Sequence, residues 1–331
     1  MPMTAIKPGP WVRDMLKNIK ILTQGDALRW ALTLAVFVMD AIWLSASHYS
    51  VSGVRSLAIF FTALLGLGLL SAIGRLPRYA AVARSPYAQR ARLTLYCIFL
   101  LSAFTAAAGV LQYLVIALNP PVVDARLAAW DALIGFDWVY AFLWVRGNPL
   151  VNVILKLAYA SLLLQFIAIP WLLGLSGQER HLREFVTCIM LSSLLLLLIS
   201  AGFPAHSAFA YYGLGSEAEL QTVSHFDLLR SGAMRVIDID DIQGLISIPS
   251  YHAALAVILT YVLRPYRLLF MLAVIVNTVM ILSTPTEGGH YLVDTVAGLG
   301  LALLTIAVTR RLSGMENFGA AKYDSRVAQG L

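Results

Sequence analysis

Charge is what this chain has least of. Only 13% of its 331 residues are Asp, Glu, Lys or Arg, against 59% hydrophobic ones. A soluble fold of this length could not hide so much apolar surface in one core, so the mean hydropathy of +0.76 marks a polytopic membrane protein. Cysteine is also scarce. Cys97 and Cys188 both fall inside apolar segments, so neither a disulfide framework nor a metal site follows, and both read as packing residues. No cleavable leader is evident, because the first apolar run is span-length and follows a basic head, which predicts a retained helix. A net charge of +6 would suggest nucleic acid in a soluble protein. Here the basic residues lie in short loops between apolar segments, where they act as topology signals and give no nucleic-acid surface. Internal repeats and low-complexity tracts are absent too.

What is present is a series of apolar segments, at 28–46, 56–75, 95–118, 150–174, 185–203, 251–263, 266–283 and 290–309. Their length and spacing predict an all-α membrane bundle of about eight transmembrane helices. Arg264-Pro265 forms a tight turn that makes the sixth and seventh a hairpin. Before them, residues 1–27 place Trp11, Met15, Leu16, Ile19 and Leu22 on one stripe against Arg13, Lys17 and Lys20, the pattern of a basic interfacial helix. Residues 310–331 read as a loose tail.

The loops alternate in charge. Arg29, the arginines between 75 and 92, Arg180 and Arg183, Arg264 and Arg267, and Arg310 and Arg311 fall on one side, which the positive-inside rule makes cytoplasmic together with both termini. The long loop 204–249 is acidic, with Glu217, Glu219, Asp227, Asp238, Asp240 and Asp241, and belongs outside. Absence of an organellar targeting signal makes a bacterial inner membrane the expected home. Residues 120–149, also outside, are too polar to span but carry Leu127, Trp130, Trp138, Phe142 and Trp144, so a short helix on the outer surface is expected, walling a lipid access route.

Two outward helix starts carry chemistry. Ser247-Ile248-Pro249-Ser250-Tyr251-His252 opens one, and Ser283-Thr284-Pro285-Thr286-Glu287-Gly288-Gly289-His290-Tyr291-Leu292-Val293-Asp294 opens the other. If a helix begins near His290, then His290 and Asp294 share a face, and the carboxylate can hold one ring nitrogen while the other attacks. His252 sits after a capping serine at a helix N-terminus, an anion cradle, where it can protonate a departing phosphate-ester oxygen. Gly288-Gly289 would admit a phosphate close to the backbone. Other polar residues are less specific. Asp40, and Lys156 with Gln165, could line a polar path inside the bundle. His206 and His225 could contact headgroups. Asp124, Asp131 and Asp137 lack a tight ligand spacing for a metal.

These two stretches resemble the second and third motifs of the type 2 phosphatidic acid phosphatase superfamily of membrane lipid phosphatases and phosphotransferases. The resemblance covers about residues 95–309, which it implies to be a six-helix catalytic core, with the helices of 28–94 an N-terminal addition. It also implies a phosphorylated nucleophile at His290, an orienting Asp294 and an acid at His252, with no cofactor and no metal. Some positions depart from the family pattern. Ser283 stands in place, but Thr284 replaces an arginine and Tyr251 a glycine; Gly202-Phe203-Pro204-Ala205 lies where a basic first motif should fall. Such losses are similar to those of the branch containing inositol phosphorylceramide synthase, which implies transfer of a phosphorylated headgroup between phospholipids or sphingolipids of the bilayer. Release of phosphate to water is the alternative, and a lipid transporter without phosphate chemistry is a second one. The residues expected around the substrate are Ser250, Tyr251, Ser283, Thr284 and Gly289. Arg230 and Arg235, the only basic residues of the acidic outer loop, are expected to replace the missing phosphate-binding cations. The oligomeric state is not legible.

Overall fold

The computed structural model describes residues 10–73 and 76–328, apart from the side chains of 10–25, 313–328 and several positions between 56 and 80. The chain is helical almost throughout. Its helices are α1 (Pro10–Ala46), α2 (Val54–Ile73), α3 (Ala80–Ala83), α4 (Pro86–Ile116), α5 (Asp124–Leu133), α6 (Trp138–Gly147), α7 (Pro149–Leu175) and α8 (Glu179–Gly202). There follow α9 (Ala208–Tyr212), α10 (Glu217–Gln221), α11 (His225–Arg230), α12 (Tyr251–Val262), α13 (Arg267–Glu287) and α14 (Leu292–Ala328).

Each of the eight expected apolar segments is helical. Among the described residues, six helices are long and apolar enough to cross a membrane: Asp26–Ala46 within α1, α4, α7, α8, α13, and Leu292–Leu312 within α14. A seventh span results if α5 and α6, bent by 82° at their junction, count as one. Of the two segments not counted, α12 has 12 residues that rise only about 18 Å against a hydrocarbon core of about 30 Å, and α2 holds several side chains outside the described residues. Packed among α7, α8, α13 and α14, α12 needs no lipid-facing length. Its Ala253, Ala254, Ala256, Ile258 and Leu259 are all buried.

Helix α1 runs unbroken through residue 27; the stripe that predicted an interfacial helix lies outside the described side chains. Helix α14 continues to Ala328, through the stretch expected to be a loose tail. Where helices start abruptly, the local chemistry is visible. Pro86 and Pro149 occupy first-turn positions that need no amide donor, and Ser85 and Ser250 each accept from the amide three residues on.

The main core lies between α4, α7, α8 and α12, where Leu100, Phe104, Leu173, Phe185, Ile258 and Leu259 are buried together. A second cluster joins the bent hairpin to the loop before α14, through Leu127, Trp138, Phe142, Phe209 and Tyr291. At the other end from His252, Arg183 meets Asp26 at 2.5 Å, and Glu184 takes both Arg180 and Arg264. That end gathers the basic loops expected to share one membrane side. One parallel pairing crosses the fold: β1 (Ser50–Ser52) lies beside β2 (Val236–Asp238), with Val51 opposite Ile237.

Candidate active site

His252 is the second residue of α12, and its ring is held flat against Tyr159 of α7, with centroids 4.0 Å apart and planes 13° from parallel. The Tyr159 hydroxyl lies 3.2 Å from its Nδ1. Across from it, the His290 ring stands with its centroid 6.5 Å from that of His252. Both line a cavity of about 670 Å³, together with Lys156, Tyr159, His206, Glu219, Tyr251, Glu287 and Gly288.

His290 is not helical. Helix α14 begins at Leu292, and Gly289 turns the chain with a φ of +62°, leaving His290 in a connecting bend. The imidazole is nevertheless oriented as expected, by a different partner. Its Nδ1 lies 3.0 Å from the Ser247 carbonyl, an acceptor only, so that nitrogen carries the proton and Nε2 keeps its lone pair. Asp294 comes within 3.7 Å of Nδ1. Its carboxylate accepts instead from the Ser247 hydroxyl at 2.7 Å and the Tyr291 amide at 3.1 Å. Asp294 thus fixes the strand that fixes His290.

The bent hairpin clamps the same bend from the far side. Asp131 accepts from the amides of Leu292 and Val293 at 2.8 and 2.9 Å. Asp124 accepts from the Tyr291 hydroxyl at 2.9 Å. Trp138 donates from Nε1 to the carbonyls of His290 and Pro285. Burial and the neighbouring carboxylates of Asp124 and Asp294 push the Tyr291 phenol well above its ordinary range, so it stays a donor. A surface helix was expected here. Leu133, Ile134 and Trp144 are indeed exposed, but Trp138 is 1% exposed and faces the site.

The residues expected to bind substrate are placed unevenly. Tyr251 lines the cavity, with its hydroxyl 2.7 Å from Ser193. Ser250 is fully buried as the α12 cap. Ser283 donates to the Met280 carbonyl, and Thr284 lies 2.7 Å from the Thr295 hydroxyl; neither lines the cavity. A Cβ on Gly289 would meet the Phe209 ring and one on Gly288 the Tyr159 hydroxyl, and of the two Gly288 lines the cavity. Arg230 and Arg235 are not brought to the cavity either. Arg230 donates to the Pro120 carbonyl at 2.7 Å and lies over the Phe226 ring, and burial lowers its pKa. Arg235 is exposed beside the start of β2, where its carbonyl accepts from Ser50.

Of the less specific residues, Lys156 and His206 reach the cavity wall. Gln165 bonds Asn277 at 2.8 Å, Asp40 is buried in α1, and His225 is tied to the Tyr113 hydroxyl at 2.8 Å. Arg146, not singled out in the sequence, ties Glu219 of α10 to Glu287 of α13.

A helical membrane protein with two histidines facing across one cavity is the class these features define. A family model described as the PAP2 superfamily matches residues 125–308, and the chain belongs to that superfamily. The matched stretch begins after α4, later than the expected 95. No curated protein and no solved structure matches the chain.

Proposed function

We propose that this chain is a membrane phosphotransferase that moves a phosphoryl or phosphorylated headgroup between lipids through a phosphohistidine on His290. The observation that carries this reading is the pairing of His252 and His290 across the cavity at 6.5 Å.

Nε2 of His290 attacks phosphorus, and the bond to the departing alcohol breaks. In its protonated form His252 donates from Nδ1 to the Tyr159 oxygen, 3.2 Å away, and its Nε2 proton passes to the departing oxygen, leaving a neutral imidazole. A second alcohol then gives its proton to a base and attacks phosphorus, and the P–N electron pair returns to His290. Developing charge on the phosphoryl oxygens needs fixed positive charge. The first amides of α14 are engaged by Asp131 and Asp294, so α14 offers no anion cradle. Lys156 is the only Lys or Arg lining the cavity among the described residues, and we assign it the electrostatic part expected of Arg230 and Arg235.

The test is the lipid composition of membranes with and without the protein, read by mass spectrometry, alongside His290→Ala. A lipid pair whose headgroups exchange only with the intact protein supports the reading; exchange that persists in His290→Ala ends it. Because one histidine must begin neutral and the other protonated, a bell-shaped pH profile is expected.

A further inference from the structure

A third histidine shares this cavity, and the two-histidine scheme does not use it. His206 follows α8 where the chain carries no basic motif, and its ring lies on the cavity wall. Two sets of bonds place it beside His290. The Ala208 amide donates to the Gly289 carbonyl at 2.7 Å. The Asp124 carboxylate accepts both the His206 amide, at 3.1 and 3.2 Å, and the Tyr291 hydroxyl. One buried acid therefore fixes His206 and the neighbour of His290 in a single arrangement.

The ring itself is also held. It packs against Phe226 with centroids 4.8 Å apart, and its Nε2 lies 3.5 Å from Asp227. A proton on Nε2, facing that carboxylate, leaves the Nδ1 lone pair available. An imidazole oriented by a carboxylate is the arrangement of a general base.

We propose that His206, oriented by Asp227, is the base that activates the acceptor hydroxyl, so that each alcohol of the transfer has its own histidine. This rests on the phosphohistidine reading above and deepens it. The acceptor O–H proton goes to His206 Nδ1 as the new P–O bond forms. The P–Nε2 bond breaks, and its electron pair returns to His290. Asp227, whose side chain is 78% exposed, gives the His206 proton a way out to water, and His252 regains its proton from solvent.

The experiment uses the full chain in phosphatidylcholine vesicles carrying ³²P-phosphatidylinositol or ³²P-phosphatidic acid, with diacylglycerol or ceramide as acceptor and an alkaline denaturing quench. His206→Gln is expected to lose about 10²–10⁴-fold in turnover and to accumulate base-stable, acid-labile label on the protein, at least tenfold above wild type. Turnover within twofold of wild type overturns the proposal, as does lost turnover without accumulated label when wild type shows label. Label absent from both, with turnover in wild type, removes the phosphohistidine reading and this proposal with it.

Asp227→Asn supplies a variant at an exposed position. Removing the carboxylate that faces Nε2 is expected to lower maximal turnover and to accumulate label on the protein, as His206→Gln does, while the fold is kept. Turnover and label both unchanged from wild type in Asp227→Asn also overturn it.

Discussion

The Trp138 indole donates to the carbonyl of His290 at 3.1 Å, from a helix that was legible only as an aromatic surface segment. Trp138→Phe keeps the ring and removes the donor, leaving two buried carbonyls short of a partner. A loss of about 1–3 kcal/mol in stability is expected, with a fall in kcat and little change in KM. Thermal unfolding in detergent and steady-state kinetics measure both, and unchanged kcat would show that the clamp does not tune the nucleophile.

Lys156→Met removes the cavity's one Lys or Arg while keeping most of its apolar stem. A drop of about 10²–10³-fold in kcat is expected, the size found when one transition-state donor is removed, with Lys156→Arg recovering part of it. Arg230→Ala and Arg235→Ala, both away from the cavity, are expected to turn over within about threefold of wild type. Kinetics on the four variants decide between the two sources of charge.

Arg146→Met leaves Glu287, whose side chain is 3% exposed, without its cation, and frees Glu219 on α10. Breaking a buried pair costs about 3–5 kcal/mol; the partial exposure of Arg146 reduces the expectation to about 2–3 kcal/mol. Unfolding should follow that figure, and protease cleavage between 213 and 223 should accelerate.

Gly298→Ala tests the approach of α14 to α12, because a Cβ there would meet the Ser250 carbonyl. Ser250 caps α12, and its amide donates to the Asp294 carbonyl at 2.9 Å. Overpacking is expected to cost about 1–3 kcal/mol and to lower activity more than Gly300→Ala, where a Cβ meets nothing within 4 Å. Parallel melting and turnover measurements on the two variants make the comparison.

The helices were legible because a bilayer demands long apolar runs, and the motifs around His252 and His290 because helix starts collect polar residues. The partners were not. Asp131 and Leu292 are separated by 161 positions, and no local pattern announces a carboxylate that will bind backbone amides so far along the chain. Ser247 orients His290 with a carbonyl, a group every residue possesses, so composition could not reveal it. Helical spacing put His290 and Asp294 on one face, whereas Gly289 ends that regularity and the contact at 3.7 Å is made across a bend. Lys156 was visible as a lone cation in an apolar helix; which wall it faces depends on how α7 turns.

The pairing of Val51 with Ile237 makes the front of the chain answerable for the back. Strand β1 continues at Gly53 into α2, and β2 belongs to the same long loop that supplies His206 and Glu219 to the cavity. The first two helices are therefore tied to that loop by a short ribbon as well as by their packing on α4. A truncation beginning at α4 would keep every residue of the two motifs and still release the loop at its far anchorage.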